Sequence, residues 1–166
     1  MAEPNDLVLE RIMDAPRNLV WKALTTPELL KKWWAPRPYQ TPECEIDLRP
    51  GGTFFTRMTG PDGFDTGTGG AGCVLEVVTG ERFVWTNALL PGFRPPASDP
   101  ADCGGFPFTA IMTLEDAENG KTRYRAVAMH RNEADRATHE KMGFHEGWGT
   151  CAAQLEEVAA DLLQAA

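Results

Sequence analysis

The chain has 166 residues, and its 24 acidic against 16 basic side chains give a formal net charge of -8 at pH 7. This charge argues against nucleic acid or an anionic membrane as the partner, because both require a basic surface. The length suits a single domain spanning residues 1–166, with a core large enough to fold without disulfide bonds.

A strand and two short helices are predicted before residue 38. Residues 7–13 alternate between apolar and polar side chains, which is typical of a strand. Pro16 lies where the first turn of a helix is predicted. Thr26 is the predicted N-cap of the second helix, whose apolar side carries Trp33 and Trp34.

From residue 43 to residue 129 the apolar pattern has a period of two, and glycine-containing turns divide it. The predicted strands are residues 44–48, 53–58, 72–78, 82–87, 108–114 and 122–130. Their short turns predict antiparallel neighbours. After Thr79, a three-residue loop would pair Val77 with Phe83 and Leu75 with Trp85.

Residues 88–107 form a proline- and glycine-rich segment that is too long for an ordinary hairpin loop. Two interpretations stay open for this irregular loop. It is either a lid or rim over a site, or a disordered insertion.

The C-terminal residues 134–166 predict one long amphipathic helix. Its apolar face carries Phe144, Trp148, Cys151, Leu155, Val158 and Leu162. Gly143, Gly147 and Gly149 are expected in the same helix, where their missing side chains leave space beside large rings. Such a helix must cover the predicted strands, and the two together would enclose a cavity.

Four stretches that span nearly the entire chain carry a specific combination of motifs. They are APRNLVWKALTTPELLKKWWAP, DLRPGGTFFTRMTGPDG, GCVLEVVTGERFVWTN and HEKMGFHEGWGTCAAQLEEVAADL. The tryptophan pair after T-x-P-E-L-L, the P-G-G turn and the M-G-F-x-E-G-W opening of the last helix are most distinctive. With them the chain resembles the family of activator of heat-shock protein 90 ATPase homologues, in the START-like or SRPBCC superfamily.

The resemblance implies an α+β helix-grip fold of START-like or Bet v 1-like type. In that fold, a curved antiparallel sheet of about six or seven strands surrounds a long C-terminal helix and leaves a hydrophobic cavity. Members of the superfamily bind lipids, hormones and polyketides, and some are cyclases or hydrolases. The eukaryotic protein that gives the family its name stimulates a chaperone through a larger chain with several domains.

The motifs of cofactor and metal sites are incomplete. Residues 67–72 match G-x-G-x-x-G, but the following CVLEVV predicts a strand where a dinucleotide site requires a helix. We interpret this segment as a strand entry with a close backbone neighbour. Gly143 replaces the second histidine of H-E-x-x-H after His139, so we interpret His139 and His145 as surface residues and predict neither a metal nor a cofactor.

Candidate nucleophiles are few. Ser98 is the only serine and lies outside any G-x-S-x-G elbow, which excludes a serine triad. A catalytic pair of Cys151 with His145 or His130 is an alternative, although the position of Cys151 on the apolar helix face predicts a buried, inert thiol. His130 is the one weak catalytic candidate, and binding without catalysis is favoured.

The cysteines and the N-terminal residues predict a reducing compartment. Cys44, Cys73, Cys103 and Cys151 are far apart and form no C-x-x-C pair, which is typical of reduced thiols. Residues 1–8 lack the features of a secretory leader, and no segment has the ~18 apolar residues of a membrane span. We therefore expect a cytoplasmic protein without membrane insertion.

The predicted function is binding of a small apolar or amphipathic molecule between the sheet and the last helix. The predicted cavity residues are Trp33, Trp34, Phe55, Arg57, Trp85, Phe108, Met112, Tyr124, His130, Phe144 and Trp148. Arg57, Tyr124 and His130 would orient the ligand. A cyclase- or hydrolase-like enzyme and a chaperone-stimulating interaction module are the alternatives, and a homodimer is compatible with the sequence.

Overall fold

The computed structural model of the protein describes residues 2–99 and 105–165. Its elements are β1 (Asp6–Met13), α1 (Arg17–Thr25), α2 (Pro27–Leu30), β2 (Gln40–Ile46), β3 (Thr53–Thr59), β4 (Ala71–Val78), β5 (Arg82–Thr86), β6 (Phe108–Asp116), β7 (Thr122–His130), α3 (Glu133–Lys141) and α4 (Phe144–Ala165). The predicted order of a strand, two short helices, further strands and a long C-terminal helix is confirmed.

The strands form one seven-stranded sheet in the order β1-β7-β6-β5-β4-β3-β2, and every neighbouring pair is antiparallel. The sheet curls into a half-barrel, and with the long α4 it gives the predicted α+β helix-grip architecture. Apolar side chains of the sheet, α1, α2 and α4 share one core. Its almost fully buried members include Trp33, Phe54, Phe83, Met112 and Leu155.

Strand β2 begins earlier than predicted and includes a proline. It spans Gln40–Ile46 rather than residues 44–48. Pro42 has no N–H to donate to a neighbouring strand. The strand accommodates it because β2 lies at the edge of the sheet, next to β3.

The hairpin of β4 and β5 has the predicted register at its turn and a different one beyond it. Val77 pairs with Phe83, as predicted, but the predicted pairing of Leu75 with Trp85 is wrong. A β-bulge between Val74 and Glu76 shifts the register, so that Val74 lies opposite Trp85.

The predicted single C-terminal helix is two helices. The chain breaks between α3 and α4 because Gly143 has a φ of +97°, a conformation that ends helices and that glycine adopts readily. Asn132 caps the start of α3 by accepting a hydrogen bond from the backbone N–H of Asp135 at 2.8 Å. Gly147 and Gly149 lie in α4, as predicted, whereas Gly143 does not.

The predicted irregular segment 88–107 is described in part. Residues 88–99 include a β-bridge between Leu90 and Arg94, while residues 100–104, with Cys103, lie outside the described residues. Cys44, Cys73 and Cys151 are free thiols. In the described ranges, no helix combines the length and apolarity needed to cross a membrane.

Candidate functional site

A cavity of about 410 Å³ lies between the sheet, the turn after α2 and the helices α3 and α4. Its size falls in the range of ~300–1,000 Å³ that is usual for small-molecule sites. The lining residues are Trp33, Trp34, Pro36, Phe54, Thr56, Met58, Gly69, Gly70, Ala71, Gly72, Trp85, Asn87, Phe106, Phe108, Met112, Tyr124, His139, Met142, Gly143, Phe144, Gly147, Trp148 and Cys151.

Aromatic rings in mutual contact build one wall of this cavity. The Trp34 ring lies 5.3 Å from that of Trp33, 5.2 Å from Phe54 and 5.6 Å from Trp85, measured between centroids. Phe54 stacks on Trp85 at 4.7 Å with an interplanar angle of 17°. Phe108 extends the cluster from Trp85 toward α3 and α4. Flat, apolar walls of this kind suit a flat, apolar occupant.

Backbone hydrogen bonds hold the two adjacent tryptophans in place. The indole N–H of Trp33 donates to the Ala23 carbonyl oxygen of α1 at 2.9 Å. From α4, the Cys151 thiol donates to the Trp34 carbonyl oxygen at 3.1 Å, and the buried Gln154 amide bonds the same turn. The turn after α2 is therefore fixed from both sides, which holds the Trp33 ring and the backbone of both tryptophans.

The glycine-rich segment that leads into β4 forms another part of the lining, beside Phe54 of β3. A Cβ atom at Gly70 would collide with the carbonyl oxygen of Thr56, and one at Gly72 would lie 2.5 Å from that of Thr86. This agrees with the interpretation of the segment as a strand entry with close backbone neighbours. The close approach lets backbone rather than side chains line this part of the cavity.

No Asp, Glu, Lys or Arg side chain occurs among the described residues that line the cavity. Its titratable groups are held in their neutral forms. Burial raises the pKa of the Tyr124 hydroxyl well above its ordinary value, and burial raises the pKa of the Cys151 thiol to about 12. A thiol with so high a pKa is a poor nucleophile at neutral pH.

His139 is the lining histidine, and the prediction that it is a surface residue is wrong. Its side chain is buried, because the break after α3 directs that helix back onto the sheet. Its Nδ1 lies 2.8 Å from Nε2 of His130. Burial, and then the neighbouring His130, lower the pKa of His139 to about 4.

His130 lies behind His139 rather than in the cavity lining. Its second ring nitrogen, Nδ1, lies 2.9 Å from the carbonyl oxygen of Asn5, so both nitrogens are already occupied. His130 therefore does not contact a ligand in the cavity, and it acts on one only through its hydrogen bond with His139. The weak catalytic role predicted for His130 has no direct route to the cavity.

The structure brings together most of the residues predicted for the site. In the lining are Trp33, Trp34, Trp85, Phe108, Met112, Tyr124, Phe144 and Trp148. The prediction that Phe55 and Arg57 line the cavity is wrong, because the cavity face of β3 carries Phe54, Thr56 and Met58 instead. Arg57 binds Asp65 at 2.6 Å and Glu43 at 3.4 Å on the other face of the strand.

Sequence reasoning also missed several lining residues. They include Phe54, Thr56, Met58, Asn87, Phe106 and His139. The period of two along β3 could have indicated the first three, had Phe54 rather than Phe55 been assigned to the inner face. The sequence has no signal for Phe106 and Asn87, which meet across the long segment between β5 and β6 through a hydrogen bond of 3.1 Å.

Several solved structures of bacterial proteins share this fold. Protein NE0264 from Nitrosomonas europaea is 43% identical over 98% of this chain and 99% of its own, with a TM-score of 0.87. Protein Ms6760 from Mycobacterium smegmatis is 25% identical over 92% of this chain and 89% of its own, with a TM-score of 0.71. The AHSA1 protein from Silicibacter pomeroyi, at 20% identity, covers 97% of this chain and 99% of its own with a TM-score of 0.62.

A comparison with curated proteins found no match. The family model described as activator of Hsp90 ATPase homolog 1-like protein matches residues 14–160, which is most of the chain. This range contains the two tryptophans after α2, all of β2 to β7, and α4 as far as residue 160. The chain belongs to the family of activator of Hsp90 ATPase homolog 1-like proteins, as its motifs had indicated.

Proposed function

We propose that the protein binds a small, neutral, largely aromatic molecule in the cavity between the sheet and α4. The observation that carries this proposal is an aromatic cavity of about 410 Å³ without a charged side chain among its described lining residues. Burying a charge without a partner has a large desolvation penalty. A neutral, apolar ligand avoids that penalty and gains from contact with the rings.

The lining argues against the hydrolase- or cyclase-like alternative. General acid–base catalysis is most efficient when the pKa of the catalytic group lies near the working pH. The pKa of Tyr124 and that of Cys151 are raised by burial, while the pKa of His139 is lowered to about 4. Ligand binding without catalysis requires no change in the protonation of these neutral groups.

The family's name raises stimulation of a chaperone ATPase as the other alternative. That activity requires a protein-binding surface and gives no role to an aromatic cavity. We favour ligand binding because it accounts for the fixed tryptophans, the glycine-rich part of the lining and the neutral polar groups together. Cytoplasmic location and a homodimer remain parts of the proposal that the sequence alone supports.

The test uses N-phenyl-1-naphthylamine, a neutral probe whose fluorescence rises in apolar surroundings. Gly147 lines the cavity from α4, and a Cβ atom there meets no other atom within 4 Å. Gly147→Leu therefore fills the cavity without a backbone clash. Gly149→Leu is the matched control, because Gly149 has the same open surroundings in the same helix but lies outside the lining.

We expect saturable binding of one probe per chain, weakened at least ~10-fold by Gly147→Leu and within about twofold of the native value in Gly149→Leu. Absence of saturable binding would refute the proposed function. Equal affinities in the two leucine variants would mean that the probe binds outside this cavity, which would also refute the proposed function.

A further inference from the structure

His139 is a polar side chain within a cage of aromatic rings. It is only 8% exposed. The rings of Phe106, Phe108, Phe144 and Trp148 surround it at centroid distances of 4.7, 5.1, 5.2 and 5.7 Å. A buried ring nitrogen requires a hydrogen-bond partner to offset its burial, and Nδ1 of His139 has one in His130.

The chain of hydrogen bonds behind His139 determines which of its nitrogens carries the proton. The Asn5 carbonyl oxygen can only accept, so Nδ1 of His130, at 2.9 Å, is the donor. Nε2 of neutral His130 is then an acceptor, and Nδ1 of His139, at 2.8 Å, must donate to it. Neutral His139 therefore carries a lone pair, and no proton, on Nε2.

The Nε2 acceptor belongs to a residue that lines the cavity. His139 is a lining residue, whereas the His130 ring that binds its Nδ1 is not. The free edge of the His139 ring, with Nε2, is thus on the side away from His130. Among the described residues none forms a hydrogen bond with this nitrogen.

We infer that the cavity selects aromatic molecules with a hydrogen-bond donor, and that this donor binds Nε2 of His139. This inference rests on the proposed function. His130 is a positioning residue, because it fixes the proton of His139 on Nδ1 without touching the ligand. The class of ligand is a neutral aromatic compound with a hydroxyl or N–H group at one end. A carboxylate lacks both the neutrality and the proton that this site requires.

The experiment compares three naphthalene probes by titration calorimetry at pH 7.5. 2-Naphthol carries a donor, 2-methoxynaphthalene has the same oxygen without the proton, and naphthalene has neither. The variant His139→Phe keeps an aromatic ring and removes the acceptor. His145→Phe is the control, since the His145 side chain is 56% exposed and lies outside the cavity.

We expect the native protein and His145→Phe to bind 2-naphthol about 3- to 10-fold more tightly than 2-methoxynaphthalene, which is the usual range for one hydrogen bond. In His139→Phe the ratio should fall to about 1, while naphthalene binds as before. Equal affinities in the native protein, or a ratio that survives in His139→Phe, would overturn the inference and leave cavity binding intact. Failure of all three probes to bind would refute the proposed function as well.

Nitrogen-15 NMR of the imidazole rings tests the inference independently of the variants. The chain has three histidines, so their signals can be assigned by single substitutions. We expect His139 to show a protonated Nδ1 and an unprotonated Nε2, whose shift changes when 2-naphthol is added. A protonated Nε2 at pH 7.5 would contradict the proposed hydrogen bond from the ligand to Nε2 of His139. In His130→Phe, a mixture of both tautomers is the expected sign of its positioning role.

Discussion

The side-chain amide of Gln154 in α4 donates a hydrogen bond to the carbonyl oxygen of Trp33 at 3.1 Å. The same nitrogen donates to Ala35 at 2.8 Å, and the amide oxygen accepts from the backbone N–H of Arg37 at 3.1 Å. A single buried side chain thus satisfies three backbone groups of the turn that carries the cavity tryptophans. The helix and the turn are held as one unit, so the cavity wall depends on this residue although Gln154 does not line the cavity.

Replacing Gln154 by Leu should destabilise the protein by about 2 to 4 kcal/mol, because it leaves these backbone groups without partners. The free energy of unfolding in urea measures this effect. Gln164→Leu is the matched control, since Gln164 is exposed near the end of the same helix and should change stability by about 0.5 kcal/mol or less. A similar loss in both variants would show that the bonds to the turn are not the cause.

The architecture could be predicted from sequence because its signals are local. The period of two, the P-G-G and N-G turns and the proline-led short helices each depend on a few neighbouring residues. The amphipathic face of α4 was predicted from the spacing of Phe144 and Leu155, and both are buried. Several aromatic members of the site, among them Trp85, Phe144 and Trp148, follow from the same patterns, since they lie on faces that must be inside.

The remaining features depend on contacts between distant parts of the chain. Phe54 and Phe55 are adjacent, so alternation alone leaves the inner face of β3 undecided until β4 pairs with it. His139 becomes a buried residue only because Gly143 ends α3 and turns the chain. Its partner, His130, is nine positions earlier in the sequence, on β7. No local pattern could reveal this pair.

The orientation of β3 predicts contrasting effects for its two phenylalanines. Phe54 is 2% exposed and contacts Trp34, Phe83 and Trp85. Phe54→Ala should therefore reduce the free energy of unfolding by about 3 to 5 kcal/mol and weaken N-phenyl-1-naphthylamine binding. Phe55→Ala should lower it by about 1 kcal/mol, with unchanged probe affinity. Chemical denaturation and fluorescence titration measure both, and the reverse order would invalidate the assignment of the inner face.

The break between α3 and α4 predicts opposite effects of alanine at two nearby glycines. At Gly143, where φ is +97°, a side chain strains the backbone although a Cβ atom would meet nothing within 4 Å. Gly143→Ala should destabilise the protein by about 1 to 2 kcal/mol. At Gly147, inside α4, alanine should stabilise by up to about 1 kcal/mol. Thermal unfolding distinguishes them, and a stabilising Gly143→Ala would mean that the two helices are continuous.

Stability should fall in mild acid because of His139. Its pKa is about 4 in the folded protein against an ordinary value of 6.5. Above pH 6.5 both folded and unfolded chains are neutral at this residue. As the pH falls below 6.5, the unfolded chain binds a proton that the folded chain does not, so stability decreases until about pH 4. At 1.36 kcal/mol per pKa unit the full effect is at most roughly 3 kcal/mol, and solvent at the accessible edge of the ring reduces it.

The range from pH 6.5 to pH 4.5 separates this effect from that of the carboxylates. Asp65 and Glu156 have ordinary pKa values of 3.8 and 4.5, and both pKa values are lowered in the folded protein. Their loss of stability therefore begins near or below pH 4.5. Urea unfolding at intervals across this range should show a smaller pH dependence in His139→Phe than in the native protein or in His145→Phe. An identical pH dependence in all three would mean that His139 titrates normally, and that its cage of aromatic rings opens to water.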